Sequence, residues 1–225
     1  MGPLIGSING YLVTRQKMPS LMTTLGMMFT LRGLVYVYTK KTPIVDEQGF
    51  DAFVQLYQGS IGPIPVPGLL ALVLIVVAIL VTTQTEFGRR IYAIGGNEQA
   101  ARFSGIRVGR VKLGVYLVSG CTAGIAALLS IGYYGAASSG DGQGYELNVI
   151  AAAVVGGASL TGGKGSALGA ALGALVIQMI SSGIVILGID QNYSQIIIGS
   201  VVIAAVVFDR LGTWLASRRQ AGVVR

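Results

Sequence analysis

An all-α membrane protein, a polytopic helix bundle with six to seven membrane-embedded segments, is the fold class this sequence predicts. Three observations carry the prediction. Of the 225 residues, 52% are hydrophobic and only 11% charged, against roughly 25% charged in soluble domains. Apolar runs such as 67–83 and 194–208 approach the roughly 30 Å hydrocarbon thickness once flanking residues are added, at about 1.5 Å per residue. The cations also cluster at alternate junctions between runs. A membrane β-barrel would instead alternate polar and apolar residues.

In chain order, residues 2–14 form a partial span of roughly 20 Å, with Gly2, Gly6 and Gly10 at four-residue spacing. Residues 20–38 make the first full span. Residues 39–66 are too polar to embed: they carry Lys40, Lys41, Asp46, Glu47 and Asp51, a short amphipathic stretch over 51–56, then Pro63 and Pro65. A span over 67–83 follows. Residues 85–112 form a polar loop with six cations, Arg89, Arg90, Arg102, Arg107, Arg110 and Lys112, and within it 98–105 reads as one short helix ending at Gly105. Spans over 113–137 and 166–187 flank a short crossing or re-entrant element over 147–160, and 195–211 closes the series. Gly120 and Gly124, and Gly165, Gly169 and Gly173 beside Ala167, Ala170, Ala171 and Ala174, are small-residue ridges that let helices approach closely in lipid.

Charge orients the bundle. Arg15, Lys17, the six loop cations, Lys164, Arg210, Arg218, Arg219 and Arg225 fall on one side, thirteen against only Lys40 and Lys41 on the other. The first side, with the C-terminus, is therefore cytoplasmic. Tyr36, Tyr38, Tyr133, Tyr134 and Tyr193 stand at outer ends, and Tyr11, Tyr116 and Trp214 at inner ends, as interfacial aromatics should. A net charge of +7 is thus a topology signal for a lipid bilayer, and no nucleic acid partner is expected. The sequence has no histidine, which excludes imidazole ligands and histidine catalysis. Its one cysteine, Cys121, permits no intrachain disulfide. No catalytic centre, cofactor or metal site is expected.

Two features invite a chemical reading. The stretch Gly156-Gly157-Ala158-Ser159-Leu160-Thr161-Gly162-Gly163-Lys164-Gly165 has the flavour of a phosphate-binding loop. It fails that pattern, because Ala158 replaces the first glycine and Gly165 the Ser/Thr that would hold magnesium. A tight irregular turn, buried within the protein, is expected instead. Arg32 is the one cation inside a span. It either lines a pathway or snorkels to the outer interface, about 9 Å away.

Three stretches together resemble the permease subunits of bacterial ABC importers for sugars, of the ribose/xylose type. They are Phe87-Gly88-Arg89-Arg90 through Gly95-Gly96-Asn97-Glu98 to Gly105-Ile106; Glu146-Leu147 through Gly156-Gly157 and Gly162-Gly163 to Ser166; and Asn9-Gly10-Tyr11 through Thr24-Leu25-Gly26 to Arg32-Gly33. Permeases of that family are typically half as long again, and no Ile-Asp-Leu-Ser-x-Gly string occurs here. The chain therefore resembles the C-terminal two-thirds of one.

The resemblance implies a transmembrane subunit of an ATP-driven monosaccharide importer in the bacterial inner membrane. Its implied partners are a cytoplasmic ABC ATPase, a soluble sugar-binding protein on the outer side and a second permease copy. It assigns 98–105 as the ATPase-coupling helix. Residue chemistry fits that role: Glu98 suits the helix dipole, Ala100 and Ala101 leave a flat face, and Gly105 suits a left-handed C-terminal position. An interfacial amphipathic helix with arginines on lipid head groups is the other reading. Arg32, Glu146, Gly156, Gly157, Gly162 and Gly163 are candidates for the pathway or for its framework. Two further readings remain beside the importer. A secondary transporter would place ionisable residues at mid-membrane, and only Arg32 lies there. A fragment that inserts without transporting is the other. If Arg32 lines the pathway, Arg32→Ala lowers uptake while insertion is retained; unchanged uptake assigns it to anchoring.

Overall fold

The computed structural model describes residues 1–45 and 51–188, with positions 193, 196, 197, 199–201, 203, 204 and 207. Its helices are α1 (Gly2–Arg15), α2 (Ser20–Thr39), α3 (Asp51–Gln58), α4 (Val66–Gln84), α5 (Glu86–Gly96), α6 (Glu98–Phe103), α7 (Val108–Tyr134), α8 (Tyr145–Val155) and α9 (Ala167–Ile186). Strands β1 (Ser60–Ile61) and β2 (Ile64–Pro65) form a small antiparallel hairpin before α4. Among the described residues, four helices are long and apolar enough to cross a membrane: α2, α4, α7 and α9. Of the two shorter helices, α1 reaches about 21 Å and α8 about 16 Å. The expected 195–211 segment is described only at scattered positions, all helical. Arg210, Arg218, Arg219 and Arg225 lie outside the described residues.

Burial is inverted relative to a soluble protein. The buried apolar residues are mostly small, such as Ala101, Ala151 and Ala152, whereas Leu21, Met22, Phe29, Leu72 and Met179 face outward. Hydroxyls inside these apolar helices find partners without leaving their own helix. Thr14, Thr23, Thr30, Thr39 and Thr82 each donate to the carbonyl four residues earlier, at 2.7–3.0 Å. In lipid this removes the cost of an unpaired donor.

The described residues divide into two compact units, 1–76 with 99–141, and 77–98 with 142–225. In the first unit α1 runs antiparallel to α7 with their backbones in contact. A Cβ built on Gly2 would collide with Gly120 O, one on Gly6 with Tyr116 O, and one on Gly10 would lie 2.7 Å from Leu113 Cδ1. The glycine ridge of 2–10 is thus a packing seam, whose stability rests on van der Waals contact between close backbones. Gly109 lies next to Thr14, so Arg15 and Lys17 share one end of the pair with Arg107, Arg110 and Lys112. At the other end Gly132 sits under α3, where a Cβ would come 2.8 Å from Phe53 O and Tyr57 Cβ. Ile44 pairs there with Ala137 through two backbone hydrogen bonds of 2.9 and 3.0 Å. Tyr57, Tyr133 and Tyr134 stack edge to face at the same end. In the second unit α8 runs antiparallel along α9. Gly156 meets Gly169 and Gly173 meets Ala152 without room for side chains, around a core of Ala151, Ala152 and Ile177.

Several expected boundaries move. The span expected over 113–137 is a helix beginning at Val108 and ending at Tyr134. Hydropathy marks where the apolar run begins, but Arg110 and Lys112 are good helix formers, so the helix starts earlier. It ends at Gly135, which takes φ +62 and donates to Ile131 O at 2.8 Å. The element expected over 147–160 is α8, stopped by Gly156 and by Gly157 at φ +87. In the polar segment 39–66 the amphipathic stretch expected over 51–56 is α3, extended to Gln58, and the hairpin follows it.

The seam predicts a direct contrast. Gly6→Leu should weaken the α1–α7 pair by roughly 1–3 kcal/mol, as overpacking does. Gly33→Leu, where a Cβ meets nothing within 4 Å, should be tolerated. Thermal aggregation of the detergent-solubilised protein measures both, and equal midpoints would remove the seam.

Candidate functional site

The cationic segment expected to be a loop with one short helix is mostly helical. α4 turns into α5 at Thr85, whose hydroxyl donates to Val81 O at 2.6 Å and accepts from Gly88 N at 3.2 Å. This caps α5. Gly88 is buried against the carbonyls of Val81 and Thr82, with no room for a side chain. Glu86 occupies the first turn and pairs with Arg90 at 2.7 Å. Both side chains are more than half exposed, so the pair contributes on the order of 0.5 kcal/mol.

One extended residue, Asn97, separates α5 from α6. α6 ends in a Schellman motif: Gly105, at φ +81, donates to Arg102 O at 3.0 Å, and Ile106 donates to Ala101 O at 3.1 Å. Gly105 thus takes the left-handed position its type suggests. Arg107 then starts α7.

The short helix has two unlike faces. Ala101 is 5% exposed, so it faces the chain itself. This corrects the expectation that Ala100 and Ala101 form one flat outer face. A helical turn puts adjacent residues about 100° apart, and only Ala100 of the two is exposed. Arg102, Phe103, Ser104 and Gly105 are exposed with it, and Phe103 is 92% exposed. Glu98 is half-buried in the first turn. Phe103 was not singled out by sequence reasoning. Its signal was an aromatic placed among arginines, outside every apolar run.

The glycine-rich segment 156–166 links α8 to α9. Gly156 caps α8, and Ser166 caps α9 by accepting from Gly169 N at 3.0 Å. Gly157, Gly162, Gly163 and Gly165 all have positive φ. Ser159 donates to Lys164 O at 3.0 Å and Gly162 to Ser159 O at 3.1 Å, so these N–H groups close the loop on itself instead of facing an anion. The turn expected to be buried is half-exposed to exposed within the chain. These two internal bonds hold the turn closed without cover from the rest of the chain. A Cβ on Gly162 would lie 2.8 Å from Gly95 O, and Tyr92 Oη donates to Gly165 O at 3.0 Å. Lys164 therefore lies at the same end as Arg89 and Arg90 of α5.

Of the remaining candidates, Arg32 is half-buried in α2, seven residues before Thr39, and forms no hydrogen bond or ion pair among the described residues. Glu146 is exposed in the first turn of α8. The two fall in different units. The structure therefore gathers Glu98, Ala100 and Ala101 on one short helix with Gly105 in its C-terminal turn, and Gly156, Gly157, Gly162 and Gly163 in one loop.

Comparison with known proteins agrees with this architecture. The chain is 39% identical over 202 residues to a ribose import permease protein of Bacillus subtilis, covering 90% of this chain and 63% of the relative. It is 36% identical over 214 residues to the ribose import permease protein of Escherichia coli K12, covering 93% and 66%. It is 37% identical over 211 residues to a D-allose transport system permease protein of the same organism, covering 94% and 64%. The chain thus spans just under two thirds of the length of these relatives. No solved structure matches it. Residues 1–206 match the model of one family, and the chain belongs to that family, described as the permease component of the branched-chain amino acid transport system.

Proposed function

We propose that the chain is a transmembrane subunit of an ATP-driven, binding-protein-dependent importer of a monosaccharide, driven by a separate cytoplasmic ATPase. The observation that carries this reading is the exposed face of α6. There a Schellman-capped helix presents Ala100, Arg102 and Phe103 on the cation-rich side of the bundle. An aromatic at 92% exposure, in a segment that also carries Arg102, Arg107 and Arg110, fits an apolar pocket with an acidic rim on a protein partner. Relatives named for ribose and D-allose transport support a monosaccharide cargo.

In this reading the cytoplasmic ATPase grips α6, and its hydrolysis cycle shifts the helices so that a path opens alternately to each side. Two permease copies line that path. On the outer side, the polar segment that holds α3 and the hairpin is where a soluble sugar-binding protein docks. The C-terminus is cytoplasmic and the membrane is the bacterial inner membrane. Chemistry on ATP belongs to the partner. A secondary transporter is the weaker reading, because the one ionisable residue well inside a described long span is Arg32.

The test is ATP-dependent uptake of labelled ribose, allose and galactose by proteoliposomes holding the chain with its ATPase and binding protein. Phe103→Ser should reduce uptake, and ATPase retention on the membrane, by roughly tenfold or more, as loss of an aromatic interface anchor does. Ala101→Leu should instead disturb the loop from within. Uptake without ATP would reject the importer, and full ATPase retention by Phe103→Ser would reject this contact.

A further inference from the structure

The second unit contains a joint that packing of membrane spans does not require. The C-terminal end of α5 and the glycine loop meet backbone to backbone: a Cβ built on Gly95 would run into Gly163 N, and one on Gly163 would come 3.1 Å from Gly95 C. Tyr92 adds its hydroxyl bond to Gly165 O. We infer that this contact is a clasp that hands displacement of the α5–α6 segment to α8 and α9. The inference rests on the proposed ATPase contact at α6.

Four features make the joint suited to that task. No flexible side chain lies between the two backbones to absorb a shift, and close-packed contacts transmit displacement where loose ones do not. The loop is tied across its own base by the Ser159–Lys164 bond, and its glycines take the positive φ that this closed shape requires. Its two ends are the caps of α8 and α9, and those helices are locked together at Gly156–Gly169 and Ala152–Gly173. At its other end α5 is held by the buried Gly88 turn. A pull on α6 therefore passes through Asn97 to the end of α5, and from there to two membrane-embedded helices moving as one. The loop needs its glycines for close approach of another backbone, the same need that phosphate-binding loops meet with glycine, but its ligand is the chain's own α5.

The experiment measures sugar transported per ATP hydrolysed, with ribose as probe, in proteoliposomes of the complete complex. Gly95 has ordinary helical φ, so Gly95→Ala probes the contact without backbone strain. It should lower the transport-to-hydrolysis ratio roughly three- to thirtyfold, the range of mutations along a coupling route, at unchanged ATPase retention. Tyr92→Phe, which removes only the hydroxyl, should lower the ratio in the same direction and stands in if Gly95→Ala does not insert. Gly96→Ala, where a Cβ meets nothing within 4 Å, should keep the wild-type ratio. A merely structural role would lower assembled complex, uptake and hydrolysis together and leave the ratio fixed, which overturns the clasp. A wild-type complex that hydrolyses ATP without importing sugar overturns the importer reading and the clasp with it.

Discussion

Backbone meets backbone where the helices of this chain pair most closely, and glycine is the residue that allows it. In lipid, burying apolar side chains gives helices little reason to associate, because the tails are as apolar as leucine. What remains is mainly dispersion, which loses roughly a quarter to a half of its strength for a gap of about 1 Å. Gly2, Gly6 and Gly120 bring α1 and α7 to that range, and Gly156, Gly169 and Gly173 do so for α8 and α9. The same device recurs outside the spans, where Gly95 meets Gly162 and Gly163. One physical constraint therefore sets the first unit, the second unit and the joint within the second unit.

A second constraint, satisfaction of polar groups, shapes everything the glycines leave open. Threonine hydroxyls return to their own helices. The glycine loop closes on itself, and α6 caps its last carbonyls through Gly105 and Ile106. Apart from Arg32, charges are kept out of the middle of the described long spans. Pairing of α1 with α7 places Arg15 and Lys17 at the same end of that pair as the cations that begin α7. The cation-rich end is also where α6 turns Phe103 outward. An exposed aromatic on that surface suits a protein groove better than solvent.

Much of this was legible in the sequence, and the failures have physical causes. The spans expected over 20–38, 67–83 and 166–187 match α2, α4 and α9 closely, since apolar runs report burial in lipid directly. The start of α7 was misplaced because hydropathy detects lipid, whereas Arg110 and Lys112 continue a helix into water. The loop over 85–112 hid a second helix, α5, whose amphipathic pattern was masked by its arginines. Failure of residues 156–165 as a nucleotide loop could be read from Ala158 and Gly165 alone. Its contact with α5 could not, because Gly95 and Gly163 lie far apart in sequence and share no periodicity. Ala101 changed role, and Phe103 was missed, for a simpler reason: which side of a short helix faces the chain depends on tertiary contacts.

The central claim is that the surface of α6 is gripped by a separate ATPase. Photocross-linking from an unnatural benzoyl-phenylalanine placed at the exposed position of Ser104, in cells expressing the complete transport system, tests it most directly. The account predicts one dominant protein adduct, identified by mass as the ATPase subunit, with a yield that changes when ATP is replaced by a non-hydrolysable analogue. Adducts confined to lipid, or none with the ATPase under either condition, would contradict it.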